Sequence, residues 1–338
     1  MAAGFSGGYS AIVKCERPVD PEPLVSSLRS DIKSLVKPVI EGSDYLKRDC
    51  VIVVGDKSFS IHSAQLALLS QPIRTILLEK QESSEEMFED GVRKILVRSR
   101  YADSNGQSLY LVFDGIPLDI VRSFVEYLYT GSIDSQLIFS LECSVRKELN
   151  AVFALLQINV NQYEQPDAFI RSNIKKLFTE EMAHTADVLI RVKDGSLPAH
   201  RHVLATRTAF FKVLFGDDTP WSCPIEEGKR IVRLPYITKD VFQIFLSWIY
   251  DSQDLFSKTE CEDISSFTEF VVEVLRASEE FLMYDVKELC ARTLIKVMTL
   301  QNVTVFFGIA KEYRLKTLND ACLEFGMSSV SSELAHSL

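Results

Sequence analysis

The chain lacks the segments that mark membrane, secreted and nucleic-acid-binding proteins. Its longest uncharged apolar windows, such as residues 297–310, have lysine on both sides and are shorter than the roughly 20 residues that span a bilayer. The N-terminus has no apolar core of the kind found in signal peptides. No basic run interrupts a composition of 37 basic and 47 acidic residues. We therefore expect a cytoplasmic or nuclear protein that binds neither nucleic acid nor membrane.

Cysteine and histidine are sparse and show no metal-ligand spacing. The seven cysteines are odd in number and contain no C-x-x-C pair, which is typical of reduced intracellular thiols. His200 and His202 are two residues apart, so on a helix their side chains point in different directions. We expect no metal site and no cofactor.

Motifs of the common catalytic classes are also missing. The sequence has no phosphate-binding G-x-x-x-x-G-K-[ST], no G-x-S-x-G and no H-E-x-x-H. Adjacent acidic residues occur in polar stretches, where a solvated surface is the usual explanation. We expect no catalytic residue, and the protein is predicted not to be an enzyme.

An internal repeat is the strongest positive signal. Five pairs of similar or identical residues lie 138 positions apart: Asp49 and Asp187, His62 and His200, Leu66 and Leu204, Ser70 and Thr208, and Leu77 and Phe215. Farther along, residues 120–131 match 241–252 at an offset of 121. The first copy thus holds 17 extra residues, the difference between the two offsets. We place them in an acidic loop insertion around 79–107, because surface loops tolerate added length.

Each copy predicts the same local structure. A β-branched run ends at a hairpin signal, and a second short strand, a helix, a third strand and an amphipathic helix follow. Further helical patterns precede and follow these elements. The fold class is α+β, with a small β-sheet flanked by helices in each copy. The predicted strands are 51–54, 59–61 and 109–112 in the first copy, and 188–192, 196–198 and 231–234 in the second.

These residues resemble the BTB (POZ) domain. The family pattern of Asp, strand pair, His and a Leu-Ala-rich helix is present at Asp187, 188–190, His200 and 203–205, and its structural signature includes Asp49 and His62 in the first copy. The resemblance divides the chain into a flexible tail (1–22), a first BTB domain (23–163), a second BTB domain (166–293) and a partial, helical BACK-like segment (294–338).

The resemblance implies a protein-interaction module. Many BTB domains recruit cullin-3 and act as substrate adaptors of a ubiquitin ligase, often through an apolar residue, any residue and Glu after the long helix. The matching triplets are Ile225, Glu226 and Glu227 in the second copy and Met87, Phe88 and Glu89 in the first. An apolar anchor beside a carboxylate suits an interface hot spot.

BTB domains usually pair, so the two copies are predicted to meet through their first helices. The connection 159–169 is short, which raises the effective concentration of each copy for the other. An intramolecular pair and a homodimer of two chains both remain open. The predicted pairing surface is Leu24, Leu28, Ile32, Ile170, Ile174 and Leu177.

Two functions remain open at this stage. The first is a cullin-3 substrate adaptor or scaffold. The second is a BTB scaffold or regulator outside ubiquitination, for example of a kinase or of transcription, acting by dimerisation. No kelch, MATH or ankyrin repeats are present to bind a substrate. The substrate or regulated partner is therefore unidentified, and either the chain is a fragment or its own surfaces bind the substrate.

Overall fold

The computed structural model describes residues 28–41, 48–79, 83–102, 106–132, 144–159, 165–216, 223–251, 256 and 263–336. They fall into two compact units. The first unit comprises Ser26–Tyr236 with Ile249–Asp251, and the second comprises Ile237–Trp248 with Ser252–Leu338. The predicted tail (1–22) and Leu24 lie outside the described residues.

The first half of the first unit mixes helices with a sheet, as the fold class predicted. Its elements are α1 (Leu28–Ser34), α2 (Val36–Glu41), β1 (Cys50–Val54), β2 (Lys57–Ile61), α3 (Ser63–Leu69), α4 (Gln71–Leu78), β3 (Ser83–Glu89), β4 (Lys94–Ala102), β5 (Gly106–Asp114), α5 (Leu118–Thr130) and α6 (Ser144–Leu155).

The second half repeats most of these elements. They are α7 (Pro166–Leu177), a 3₁₀ turn (Glu180–Thr185), β6 (Val188–Val192), β7 (Gly195–Ala199), α8 (Arg201–Arg207), α9 (Ala209–Leu214), β8 (Ile225–Glu226) and β9 (Lys229–Leu234), and α10 (Lys239–Asp251) ends in this unit.

The two sheets have matching connections and registers. The first sheet has the strand order β2-β1-β5-β4-β3, and the second has β7-β6-β9-β8. In each, a hairpin pairs with a later strand in parallel: Cys50 lies opposite Ile61 and Leu109, and Val188 lies opposite Ala199 and Arg230. The sequence offsets of 138 and 121 are therefore also the offsets between equivalent strand positions.

The predicted helix after each strand pair is interrupted in the structure. Ser70 separates α3 from α4, and Thr208 separates α8 from α9. Both residues have extended backbone, and their hydroxyl oxygens accept hydrogen bonds from the amides of Ile73 and Phe211. Ser and Thr are favoured at such N-cap positions, so each begins a new helix.

The prediction of an acidic loop around 79–107 is wrong. Residues 83–89 and 94–102 are strands, joined by a turn in which Gly91 has a φ of +87°. Ile95 and Val97 alternate with exposed or half-buried residues on β4, and this period-2 pattern buries one face of the sheet. The extra residues therefore lengthen the sheet and add β3 as an edge strand.

The second unit is helical in its described residues. It contains most of α10, followed by α11 (Ile264–Glu280), α12 (Tyr284–Lys296), α13 (Val303–Glu312) and α14 (Lys316–His336). The Phe281 ring packs against the rings of Phe242 and Phe245 with centroid distances of 5.7 and 5.2 Å. Helix α14 contacts both α12 and α13. Among the described residues, no helix combines the length and apolarity needed to span a membrane.

Candidate protein-interaction surfaces

A histidine–tyrosine contact joins strand to helix in both halves of the first unit. His62 precedes α3, and the Tyr129 hydroxyl lies 3.1 Å from its amide and 2.9 Å from its ring Nδ1. His200 precedes α8 and makes the same contacts with Tyr250, at 2.8 and 2.9 Å. Each hydroxyl accepts the backbone N–H, which leaves its own proton to donate to the ring nitrogen. The repeated histidines thus have structural partners.

The repeated aspartates fix the start of the same helices. Asp49 Oδ1 accepts the Ser63 amide at 2.7 Å, and Asp187 Oδ1 accepts the Arg201 amide at 2.8 Å. A carboxylate at this position satisfies one of the unpaired amides of a helix N-terminus. Together with the histidines, these residues form the duplicated junction between sheet and helix.

Side chains from the two halves meet in a buried polar cluster. The His62 and His202 rings are stacked, with centroids 4.2 Å apart and an interplanar angle of 16°. Gln65 Nε2 lies 3.1 Å from His202 Nε2. All three residues are buried. Burial, reinforced by the nearby arginines Arg48 and Arg201, holds the pKa of His62 well below its usual value.

Helices of the two halves contact each other reciprocally. Helix α1 contacts α7 and α8, while α7 contacts α3, which is the counterpart of α8. Each half thus presents its first helix to the same region of the other, as in an isologous pair. The described members of the predicted pairing surface are all buried: Leu28, Ile32, Ile170, Ile174 and Leu177.

Two ion pairs flank this contact. Arg207 Nη1 lies 2.6 Å from Asp31 Oδ2, with the Arg207 side chain only 3% exposed. Arg74 pairs with Glu181 near the 3₁₀ turn. Arg207 also donates from Nε to the carbonyl of Ile249 at 3.3 Å.

The second-half triplet lies on the β8–β9 hairpin. Ile225 is 46% exposed although it belongs to a strand. Glu226 pairs with Arg191 and with Arg233, whose Nη2 lies 3.3 Å away. Glu227 forms the exposed turn and has a φ of +50°. The triplet therefore offers one exposed apolar side chain and two carboxylates.

The first-half triplet occupies a different position, so its predicted equivalence is wrong. Met87, Phe88 and Glu89 belong to edge strand β3, which pairs with β4. Ile225 pairs with Arg230, and the counterpart of Arg230 is Leu109, which pairs with Ser99 on β4. Both triplets lie in acidic stretches after the long helix, so they look equivalent in sequence. The first copy has an additional strand, β3, and its triplet lies on that strand.

The described residues contain no cluster of three or more His, Cys, Asp or Glu side chains arranged for a metal ion. Cys50 and Cys290 are buried, and burial raises the pKa of both thiols, which keeps them protonated. A buried neutral thiol packs as a small apolar side chain.

Sequence reasoning missed the partners of the histidines. Tyr129 and Tyr250 occur at the 121-residue offset and are identical, although their neighbours differ. That identity was a usable signal. Gln65 and His202 carried no such signal, because their positions in the other copies are occupied by different residue types, and only the folded arrangement brings them together.

Residues 174–298 match the family model described as the BTB/POZ domain. Over this segment, which is less than half of the chain, the sequence is similar to BTB/POZ domains. BTB domains generally mediate dimerisation and binding of protein partners. The match confirms the resemblance for the second copy only.

This chain is similar to distant relatives that are much longer than it is. BTB/POZ domain-containing protein 1 of Schizosaccharomyces pombe is 23% identical over 83% of this chain and 21% of its own length. Inhibitor of Bruton tyrosine kinase from Homo sapiens is 26% identical over 45% of this chain and 11% of its own length. The solved BTB domain of zebrafish PATZ1 is 22% identical over 39% of this chain and 96% of its own, with a TM-score of 0.29.

Proposed function

We propose that the chain is a substrate adaptor or scaffold subunit of a cullin-3 ubiquitin ligase. The observation that carries the proposal is the exposed triplet Ile225, Glu226 and Glu227 on a hairpin of the segment that matches the BTB domain. Cullin-3 is the proposed partner of this hairpin. A substrate would bind another surface, and its identity remains open.

We propose further that the first half is a second BTB domain. Its strands, their registers and the following helices recur in the matched half at constant offsets. The Asp–His–Tyr junction recurs with the same hydrogen bonds. The proposed boundaries are 23–163 for this domain, 166–293 for the second and 294–338 for a BACK-like helical segment.

The two domains are proposed to pair within one chain. The reciprocal helix contacts and the partly buried ion pair between Asp31 and Arg207 support this proposal, because they involve the first helices through which BTB domains are expected to pair. This occupied surface disfavours the competing arrangement, in which each copy pairs with its twin on another chain.

We propose a separate role in docking for each residue of the triplet. Ile225 supplies apolar surface, which is the usual source of affinity at a small hot spot. Glu226 is held by Arg191 and Arg233, so it is oriented but partly neutralised. Glu227 lies at the turn as an exposed carboxylate and is free to meet a basic partner residue.

Calorimetric titration with the N-terminal domain of cullin-3 tests this proposal. We expect saturable binding by the parent and at least a tenfold loss in Ile225→Ser and Glu227→Lys. Glu227→Gly separates charge from backbone conformation, because Gly accepts a positive φ without strain. Glu89→Lys, on the other triplet, should bind like the parent. Absence of binding by the folded parent would overturn the proposal.

A kinase regulator is the second candidate. The relative named Inhibitor of Bruton tyrosine kinase resembles 45% of this chain. In this alternative, the paired BTB halves act as a scaffold that binds a tyrosine kinase directly. A kinase assay with purified Bruton tyrosine kinase tests it: inhibition by this chain without any cullin would favour the alternative, and unchanged activity would exclude it.

A further inference from the structure

The outer face of the first sheet differs sharply from that of the second. Val53, Val112, Leu96 and Met87 lie side by side on β1, β5, β4 and β3, and together form an apolar row across the sheet. Met87 is 59% exposed, and the other three are half-buried. The counterparts of Val53 and Val112 are Arg191 and Arg233, which bind Glu226.

Charged rows flank the apolar row at the β3 end. On one side, Glu85 pairs with Arg98 at 3.0 Å. On the other, Glu89 pairs with Lys94 at 3.6 Å. Both pairs are solvent-exposed, and such surface pairs contribute little to stability. Their carboxylates thus remain able to accept a further basic group.

Strand β3 is an open edge of this sheet. In the part of the chain that the structure describes, β4 is the only strand paired with it, over seven consecutive residues. An edge strand presents a row of backbone N–H and C=O groups to solvent. Of the features that protect protein edges, β3 has charged side chains, but it has no proline or lysine, its pairing with β4 has no bulge, and its seven residues are not short.

The charge on β3 has one sign. The strand carries Glu85, Glu86 and Glu89 and no basic residue. A second copy of β3 would place carboxylates beside carboxylates, which disfavours edge-to-edge dimers. A strand with basic residues beside Glu85 and Glu89, which share the outer face with Met87, would instead find an acidic partner at both positions.

We propose that the β3 edge binds an extended segment of a partner protein by β-strand addition, and that the segment has the pattern basic–x–apolar–x–basic. Side chains of an added strand continue the existing rows of the outer face. The central apolar residue would extend the row that ends at Met87. The two basic residues would lie beside Glu85 and Glu89. Because the pattern is symmetric, it fits in either strand direction.

A labelled, capped peptide Thr-Lys-Thr-Ile-Thr-Lys-Thr tests the proposal by fluorescence anisotropy at low salt. We expect saturable binding that weakens as salt screens the charges. Met87→Lys should lower the affinity at least tenfold. Ser58→Lys places the same charge on β2, the opposite edge strand, and should leave the affinity unchanged. Both positions are exposed, so both variants should fold.

Peptide methylation distinguishes strand addition from charge attraction alone. Backbone amides of a strand point alternately to its two sides. Two peptides, N-methylated on odd or on even residues, should therefore differ, with one losing and the other keeping its affinity.

Three results would overturn the proposal. They are equal binding of both methylated peptides, loss of binding in Ser58→Lys instead of Met87→Lys, and no saturable binding up to about 1 mM peptide.

Discussion

At the residue scale, each tyrosine hydroxyl satisfies the backbone amide and the ring Nδ1 of a buried histidine. The Tyr129 hydroxyl forms hydrogen bonds with both the backbone amide and the ring of His62, and the Tyr250 hydroxyl does the same with His200. A buried polar atom that loses its partner is costly, because water cannot replace the hydrogen bond. Each hydroxyl therefore supports two groups at a strand–helix junction.

Removing these hydroxyls should destabilise both halves to a similar extent. We expect Tyr129→Phe and Tyr250→Phe each to lower the free energy of unfolding by about 1–3 kcal/mol. Tyr110→Phe is the control, since this partly exposed ring on β5 should change stability by less than about 0.5 kcal/mol. Urea denaturation measures the three values. Equal stability of Tyr110→Phe and Tyr129→Phe would contradict the role assigned to the junction.

The buried histidines should also make the protein acid-sensitive. Burial lowers the pKa of His200 to about 4, and burial together with neighbouring positive groups holds the pKa values of His62 and His202 well below the ordinary 6.5. Below pH 6.5 these histidines bind protons in the unfolded chain, whereas in the folded chain they stay neutral. The free energy of unfolding therefore falls as the pH falls. The loss is about 1.4 kcal/mol per pH unit per histidine well below 6.5, until its folded pKa is reached.

Urea midpoints at pH 7 and 5 test this account with His202→Gln, which keeps a polar side chain but cannot titrate. The variant should lose about 2 kcal/mol less than the parent between these two pH values. His184→Gln should show a smaller change, because His184 is only half-buried. A parent-like pH dependence in His202→Gln would show that His202 is not held neutral.

At the element scale, a glycine at the end of α5 permits its contact with α7. Gly131 has a φ of +64°, and a Cβ there would lie 2.3 Å from two ring carbons of Phe169. Gly55 has a similar φ of +58° in the β1–β2 turn, but open space surrounds it. Comparing alanine substitutions at the two glycines therefore separates the cost of backbone strain from the cost of steric overlap.

Gly55→Ala should cost about 1 kcal/mol, from left-handed backbone strain alone. Gly131→Ala should cost about 2–4 kcal/mol, because overpacking against Phe169 adds to the strain. Thermal or urea unfolding of both variants measures the difference. In Gly131→Ala, Phe169→Leu should recover part of the loss. Equal losses of stability in the two variants would mean that α7 moves to accommodate the added Cβ at no cost in free energy.

Some strands and helix boundaries could be predicted from the sequence, and others could not. A short β-branched run ended by Gly55 predicted β1, and a similar run at the constant offset predicted its counterpart β6. Strands β3 and β4 were missed because their exposed face is charged, and Glu85 and Glu89 looked like loop residues until Arg98 and Lys94 faced them. The breaks at Ser70 and Thr208 were missed because apolar spacing continues across them.

At the scale of the whole molecule, the first helices of the two halves meet inside one unit. Equivalent helices contact reciprocally, but the side chains at the join are not equivalent. His62 stacks on His202 instead of on its own counterpart, His200. Such divergence is possible when two copies share a chain, because each side of the contact can change independently. The sequence could not predict this, since the same apolar positions also serve as ordinary core.

The partly buried ion pair between Asp31 and Arg207 should be more strongly coupled than an exposed pair. Arg207→Ala should destabilise more than Asp31→Ala, because Arg207 also bonds the Ile249 carbonyl. A double-mutant cycle should give a coupling energy of about 1–3 kcal/mol. The exposed pair Arg122–Asp119 should give less than about 0.5 kcal/mol. Equal coupling energies in the two cycles would show that the Asp31–Arg207 pair contributes no more to stability than an exposed pair.

The central claim is that the two halves pair with each other, and sedimentation equilibrium tests it most directly. We predict a single species at the chain mass of 38.3 kDa across a hundredfold range of protein concentration. A concentration-dependent species of twice that mass, dissociated by Asp31→Arg, would contradict the claim, because the pairing surface would then join two chains.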